Sequence, residues 1–211
     1  MSATLIIYHD DGDTQLSNTD NTLFLTNKVS VATALSSTAY NGAYACLQTN
    51  SAYLTTKRVG NTPRVDNYSA NSFYYYMSYE PSEALINENF GLELFNEAGK
   101  RIYHSGYRPM KILDIVTGNT STSNGMLVNK NYNKPIAVLV GHVPTLNKAI
   151  RVIATATGIF QVHMETGDTF GVSTRDLTYS ENLHRFKPNP YQFIIIDVTG
   201  YQHPSEINIQ S

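Results

Sequence analysis

The feature that most limits how this chain can fold is its punctuation. Short runs rich in Ile, Val, Tyr, Phe and Thr are broken repeatedly by Gly, Pro, Asn and Asp. Leu5–Tyr8 meets Asp10-Asp11-Gly12-Asp13, where Asp and Gly supply the positive φ angles of a tight turn, so strand, turn and strand are expected. Further strands are expected at Leu23–Thr26 with Val29–Val31, at Phe73–Tyr79, and on both sides of Gly99 within Phe90–Tyr103, the clearest hairpin in the chain. Arg108–Val116, Ile136–Val140, Ala149–Ala156, Ile159–Met164 and Tyr191–Val198 complete the set. Gly158 and Gly167-Asp168 mark turns, and Thr117–Asn124 reads as a polar loop. Only Ala32–Ala52, with its small residues and weak pattern, leaves room for a short helix.

Composition points the same way. The 211 residues include 22 Thr, 20 Asn and 17 Ser, and charged residues make up only 15%. Ser and Asn compete with helical hydrogen bonds, whereas Thr and Tyr fit a pleated surface. The expected fold is mainly β, in antiparallel sandwich modules with little helix. Two modules are expected, residues 1–85 and 86–211, with the boundary near Glu80–Asn89, where Pro81, Ser82 and several acids interrupt the strands. A single larger sandwich is the alternative. Leu5–Leu16 also lines up with Leu92–Tyr103 at a constant offset, matching Leu5 with Leu92, Tyr8 with Phe95, Asp10 with Glu97 and Gly12 with Gly99. Either two related modules each open with this hairpin, or two amphipathic hairpins simply look alike.

Several function classes find no support. A formal net charge of -2 gives no global pull toward nucleic acid or anionic lipid. The longest apolar runs are far shorter than the roughly 20 residues of a spanning helix, so no membrane insertion is expected. The N-terminus lacks the basic segment of a secretory signal, which suggests a protein made in a cytoplasm and assembled there into something larger. Cys46 stands alone, without a charged neighbour to activate its thiol, and rules out an internal disulfide framework. The six histidines have no metal-ligand spacing, and Asp10, Asp11 and Asp13 are read as turn residues rather than cation ligands. No nucleophile elbow, phosphate loop or dinucleotide fingerprint occurs, and the 17 acidic residues allow too many carboxylate pairs for any one to be informative. The chain is therefore read as a non-enzyme without cofactor or metal.

Two segments stand out as interface candidates. Lys57–Asn67 collects Lys57, Arg58 and Arg64 among Gly60, Asn61 and Pro63, and reads as an exposed basic loop. Phe73, Tyr74, Tyr75, Tyr76 and Tyr79 place aromatics on both faces of one strand, which must be covered on both sides or face a partner.

The segment from Phe90 to Leu113 resembles a recurring opening of tail-tip and minor tail proteins of long-tailed, siphovirus-like bacteriophages. That opening runs Gly, apolar strand, polar turn with Gly, second strand, then an aromatic-Arg pair leading into an apolar strand. Gly91, Leu92, Leu94, Phe95, Asn96, Gly99, Tyr107, Arg108 and Ile112 occupy those places, and Tyr191–Val198 resembles the closing strand. The first 85 or so residues depart from the pattern. The resemblance implies a structural virion protein of the tail tip or collar that works through contacts with other tail proteins, in a homo-oligomeric ring or multiple copies, with no catalytic residues. The alternative is a distal receptor- or carbohydrate-binding adhesin module, with tyrosines stacking on a host surface glycan. Within the hairpin, Gly99 is expected at positive φ, Leu92 and Leu94 on the core face, and Glu93 and Lys100 in water.

Overall fold

The computed structural model describes residues 6–8, 14–17, 23–32, 43–59, 62–66, 68–79, 92–95, 99, 101–119, 125–142, 148–166 and 190–201. Almost all of them are strand, in antiparallel pairs, so the chain is a mainly β protein as its punctuation suggests. The first half contributes β1 (Ile6–Tyr8), β2 (Thr14–Ser17), β3 (Phe24–Ser30), β4 (Tyr44–Val59), β5 (Thr62–Asp66) and β6 (Phe73–Ser78). The second contributes β7 (Glu93–Phe95), β8 (Arg101–His104), β9 (Lys111–Asn119), β10 (Gly125–Asn131), β11 (Ile136–His142), β12 (Lys148–Ala154), β13 (Ile159–Thr166) and β14 (Pro190–Asp197).

Ten strands form one sheet, and the hairpins β1–β2 and β7–β8 each form a separate two-stranded sheet. Strands on either side of the expected boundary share the large sheet, because β4 pairs with β5 and β6 of its own half and with β11 and β12 of the other. One run of neighbours reads β3-β6-β4-β11-β14-β9. Its two ends meet: Phe24 of β3 bridges to Pro109 just before β9, Leu25 N–H donates to the Arg108 carbonyl (2.9 Å), and Met110 N–H donates to the Leu23 carbonyl (2.7 Å). These bonds curl the sheet back on itself.

Alternation along β6 explains how the core is divided. Tyr74 and Tyr76 pack into one cluster with Leu47, Val138, Val140, Phe193 and Ile195, while Tyr75 and Met77 join Leu25, Cys46, Ala137, Leu139 and Ile196 on the opposite face. Each Val, Leu, Ile, Phe or Met side chain among them contributes roughly 1.5–3 kcal/mol by leaving water. β3 and β4 satisfy the two edges of β6, and the two clusters cover its two faces.

Two expectations are corrected by these elements and a third is met at its start. Lys57–Val59 and Thr62–Asp66 are not a loop: β4 runs on to Val59 and pairs back with β5, Val59 opposite Thr62 and Arg58 opposite Pro63. Among the described strands β5 pairs only with β4, an edge position that tolerates Pro63. In Ala32–Ala52, which leaves room for a short helix, Ala32 is helical together with Val31 and strand runs from Tyr44 onward; residues 33–42 lie outside the described residues. Leu92 is 50% exposed and Leu94 half-buried in a hairpin that forms a two-stranded sheet of its own, so neither is the core residue expected. The hairpin itself forms as expected, with Leu94 opposite Tyr103, Glu93 in an ion pair with Arg101, and Gly99 at φ 75°.

The N-terminal hairpin forms too. Ile6, Ile7 and Tyr8 lie opposite Ser17, Leu16 and Thr14; 87 residues later Glu93, Leu94 and Phe95 lie opposite His104, Tyr103 and Arg101. The register shift falls at the same step in both.

Candidate interaction surface

The sequence pointed first to the aromatic strand, and its side chains are mostly core. Tyr74, Tyr75 and Tyr76 are no more than 3% exposed, so they are corrected from interface candidates to packing residues. Tyr75 donates its hydroxyl to Gln48 Oε1 (3.1 Å), and Gln48 Nε2 donates to the Ile136 carbonyl (3.0 Å), so both amide ends are satisfied inside. Phe73 is half-buried, with Lys28 Nζ 4.7 Å from its ring centre. Tyr79 is 51% exposed and meets Tyr44 edge-on. A glycan platform on Tyr75 or Tyr76 would need these rings at the surface. Lys57, Arg58 and Arg64 stand on the β4–β5 hairpin; their side chains lie outside the described residues, as do Asp10, Asp11 and Asp13.

A different surface is open. β9 pairs only with β14, and β10 only with β13, so among the described strands each leaves one edge unpaired. Such an edge presents a row of N–H and C=O groups that can template a strand from another chain. Between the two strands runs an open groove of about 370 Å³ lined by Ile115, Val116, Thr117, Leu127, Val128, Asn129, Lys130 and Tyr191. Ile112, Ile115 and Met126 beside it are 51–53% exposed.

Asp114 ties the two strands together, accepting hydrogen bonds from Lys130 Nζ (2.7 Å) and Tyr132 Oη (2.6 Å). The bond from Lys130 and then that from Tyr132 hold its carboxyl below the usual carboxylate range, while desolvation and the carboxylate raise the Tyr132 phenol. Both groups are thereby locked in their ordinary charge states, the opposite of what acid-base chemistry near neutral pH requires. Cys46 is fully buried, and burial pushes its thiol far up, away from a nucleophilic thiolate. Among the described residues no cluster of three or more His, Cys, Asp or Glu side chains is placed to hold a metal ion. The surface offers strand edges, aliphatic side chains and a polar rim, which is the chemistry of protein contact.

Aromatic spacing alone does not reveal this surface. A signal existed: Ile112-Leu113 and Ile115-Val116 place apolar side chains on both faces of β9, so one face had to find cover or remain exposed. No protein-family model matches this chain, and neither the curated proteins nor the solved structures hold a significant match.

Proposed function

We propose that this chain is a structural subunit of a bacteriophage tail, at the tail tip or collar, working through contacts with other tail proteins in a homo-oligomeric ring or in multiple copies. The reading rests on the resemblance carried by Gly91–Ile112. The observation that carries its mode of action is the unpaired pair of edges on β9 and β10, with Ile112, Ile115 and Met126 exposed beside them. A neighbour adding a strand there gains main-chain hydrogen bonds for affinity and side-chain pockets for selectivity. Low charge favours this use, since few ions need to be desolvated when a wet, polar contact closes.

The test is the composition and map of purified virions. The chain should be found in the tail, in contact with other tail proteins through the β9–β10 side. Its absence from mature particles removes the reading.

A further inference from the structure

The pairing shared by the two hairpins continues into the large sheet. In the first half Phe24, Leu25, Asn27, Lys28, Val29 and Ser30 of β3 lie opposite Ser78, Met77, Tyr76, Tyr75, Tyr74 and Phe73 of β6, skipping Thr26. In the second, Lys111, Ile112, Asp114, Ile115, Val116 and Thr117 of β9 lie opposite Asp197, Ile196, Ile195, Ile194, Phe193 and Gln192 of β14, skipping Leu113. Advancing β3 by the 87 residues that separate Ile6 from Glu93, and β6 by the 119 that separate Ser78 from Asp197, turns the first list into the second, irregularity included. The next strand inward agrees. Tyr44, Ala45, Cys46 and Leu47 of β4 face Met77, Tyr76, Tyr75 and Tyr74, as Ala137, Val138, Leu139 and Val140 of β11 face Ile196, Ile195, Ile194 and Phe193. The order β3-β6-β4-β11-β14-β9 therefore reads the same from either end.

We infer that the chain is two copies of one β module joined in tandem about a local two-fold axis, and that the seam between them is a self-complementary surface whose partner is a second copy of the module. Residues that occupy the same place in their modules meet each other across the seam. Cys46 lies opposite Leu139, and Leu23 accepts a hydrogen bond from Met110. A pair that maps onto itself when the halves are exchanged sits on the axis, which is the signature of an isologous contact. All four side chains pack in or against one core with Met77 and Ile196, another equivalent pair. A third such pair joins the rest of the sheet: Tyr53 lies opposite Arg151, flanked by Leu54 with Ile150 and Ala52 with Val152. Outward from it, Leu54–Val65 in β4–β5 corresponds to Val152–Val162 in β12–β13. β10 is the second module's addition among the described strands.

The sequence hides the copy because pairs of residues, not single residues, keep their combined size. Large on small in the first module, Tyr76 on Ala45 and Tyr75 on Cys46, becomes medium on medium in the second, Ile195 on Val138 and Ile194 on Leu139.

A two-fold axis has no first half, so the order of the halves along the chain should not matter. The test is a permuted full-length chain, residues 86–211 followed by 1–85 across a Gly/Ser linker made in two lengths. Alongside it stand two cross-linked forms of the native order: Leu139→Cys, to bond Cys46, and Leu23→Cys with Met110→Cys in a Cys46→Ala background. Residues opposite one another on antiparallel strands lie within disulfide reach. The expected results are a monomeric permuted chain with one cooperative transition, its thermal midpoint within about 10 °C of the native order, and intrachain disulfides in both cross-linked forms. A permuted chain that fails to fold with either linker while both disulfides form shows halves that meet but are not interchangeable, and overturns the inference. Failure of either disulfide removes the axis and overturns it as well.

Discussion

Tyr191 lies across Gly118 so closely that a Cβ placed on residue 118 would stand 2.3 Å from the Tyr191 hydroxyl oxygen and 2.5 Å from the ring carbon bearing it. The two residues are register partners on β14 and β9, and the ring fills the space that a side chain would take, forming part of the groove beside β10. Gly118→Ala should therefore destabilise the protein by about 1–3 kcal/mol through overpacking. In a Tyr191→Leu background the same change should cost less. Denaturant unfolding of the double-mutant cycle measures the difference, and additive costs would mean the ring moves aside freely.

Two glycines at positive φ should respond differently to alanine. Gly99 has φ 75° with open space around it, so Gly99→Ala carries backbone strain alone, about 1–2 kcal/mol. Gly158 has φ 97°, and a Cβ there would stand 2.7–2.8 Å from the Asn133 nitrogen and the Lys134 backbone. Gly158→Ala should cost about 3 kcal/mol or more, since strain and collision add. Equal costs in thermal unfolding would mean that the 155–158 turn gives way at Asn133 without penalty.

Cys46 should behave as a small hydrophobe. Buried opposite Leu139, with its thiol pushed up by burial, it should not react with a thiol reagent in the native protein and should react fully in denaturant. Leu139→Ala should cost about 2–5 kcal/mol by leaving a cavity in the same core. Rapid labelling of Cys46 under native conditions would contradict its placement.

Stability should fall at both ends of the pH scale, for different groups. Asp114 has a lowered folded value, so its contribution is complete above the ordinary carboxylate value of about 3.9 and is lost as pH falls through the lower folded one. Asp114→Asn should flatten the acid limb, by a small amount that salt reduces, because the pair is largely exposed. Tyr74, Tyr132, Tyr191 and Tyr201 are raised, chiefly by burial. Their contribution is complete below about pH 10 and is lost as pH rises toward their folded values. Absorbance titration should show a delayed class of tyrosines that ionises with alkaline unfolding. A single titration with all phenols at the ordinary value would contradict the packing.

Much of this was legible in the residues and some was not, for reasons that are physical. The two opening hairpins declare themselves because turn chemistry and alternation are local, as around Gly99. The fate of Tyr74, Tyr75 and Tyr76 is not local: they are buried because residues distant in sequence cover both faces of β6, Val138, Val140 and Phe193 with Tyr74 and Tyr76, and Leu139, Ile196 and Tyr201 with Tyr75. Lys57–Arg64 misled because Gly, Asn and Pro mark a hairpin turn and an edge strand as readily as a loop. The β9–β10 groove depends on pairing with β14 and β13, which no spacing within either strand reveals.

The last prediction separates the edge from the core within a single strand. Ile115 is 53% exposed at the groove, while Val116 beside it is 6% exposed and belongs to the core. Ile115→Lys should change stability by no more than about 0.5 kcal/mol, whereas Val116→Ala should cost about 1–2 kcal/mol from lost methyl burial and the cavity left behind. If β9 is the contact edge of a virion subunit, the stable Ile115→Lys protein should still fail to enter particles, because a charged side chain would have to be desolvated where an aliphatic one was covered. The less stable Val116→Ala protein should still enter particles at permissive temperature. Complementation of a deletion with each variant, read by tail composition, decides it: normal incorporation of Ile115→Lys moves the contact away from this edge, and a large stability loss in that variant places Ile115 inside rather than at the groove.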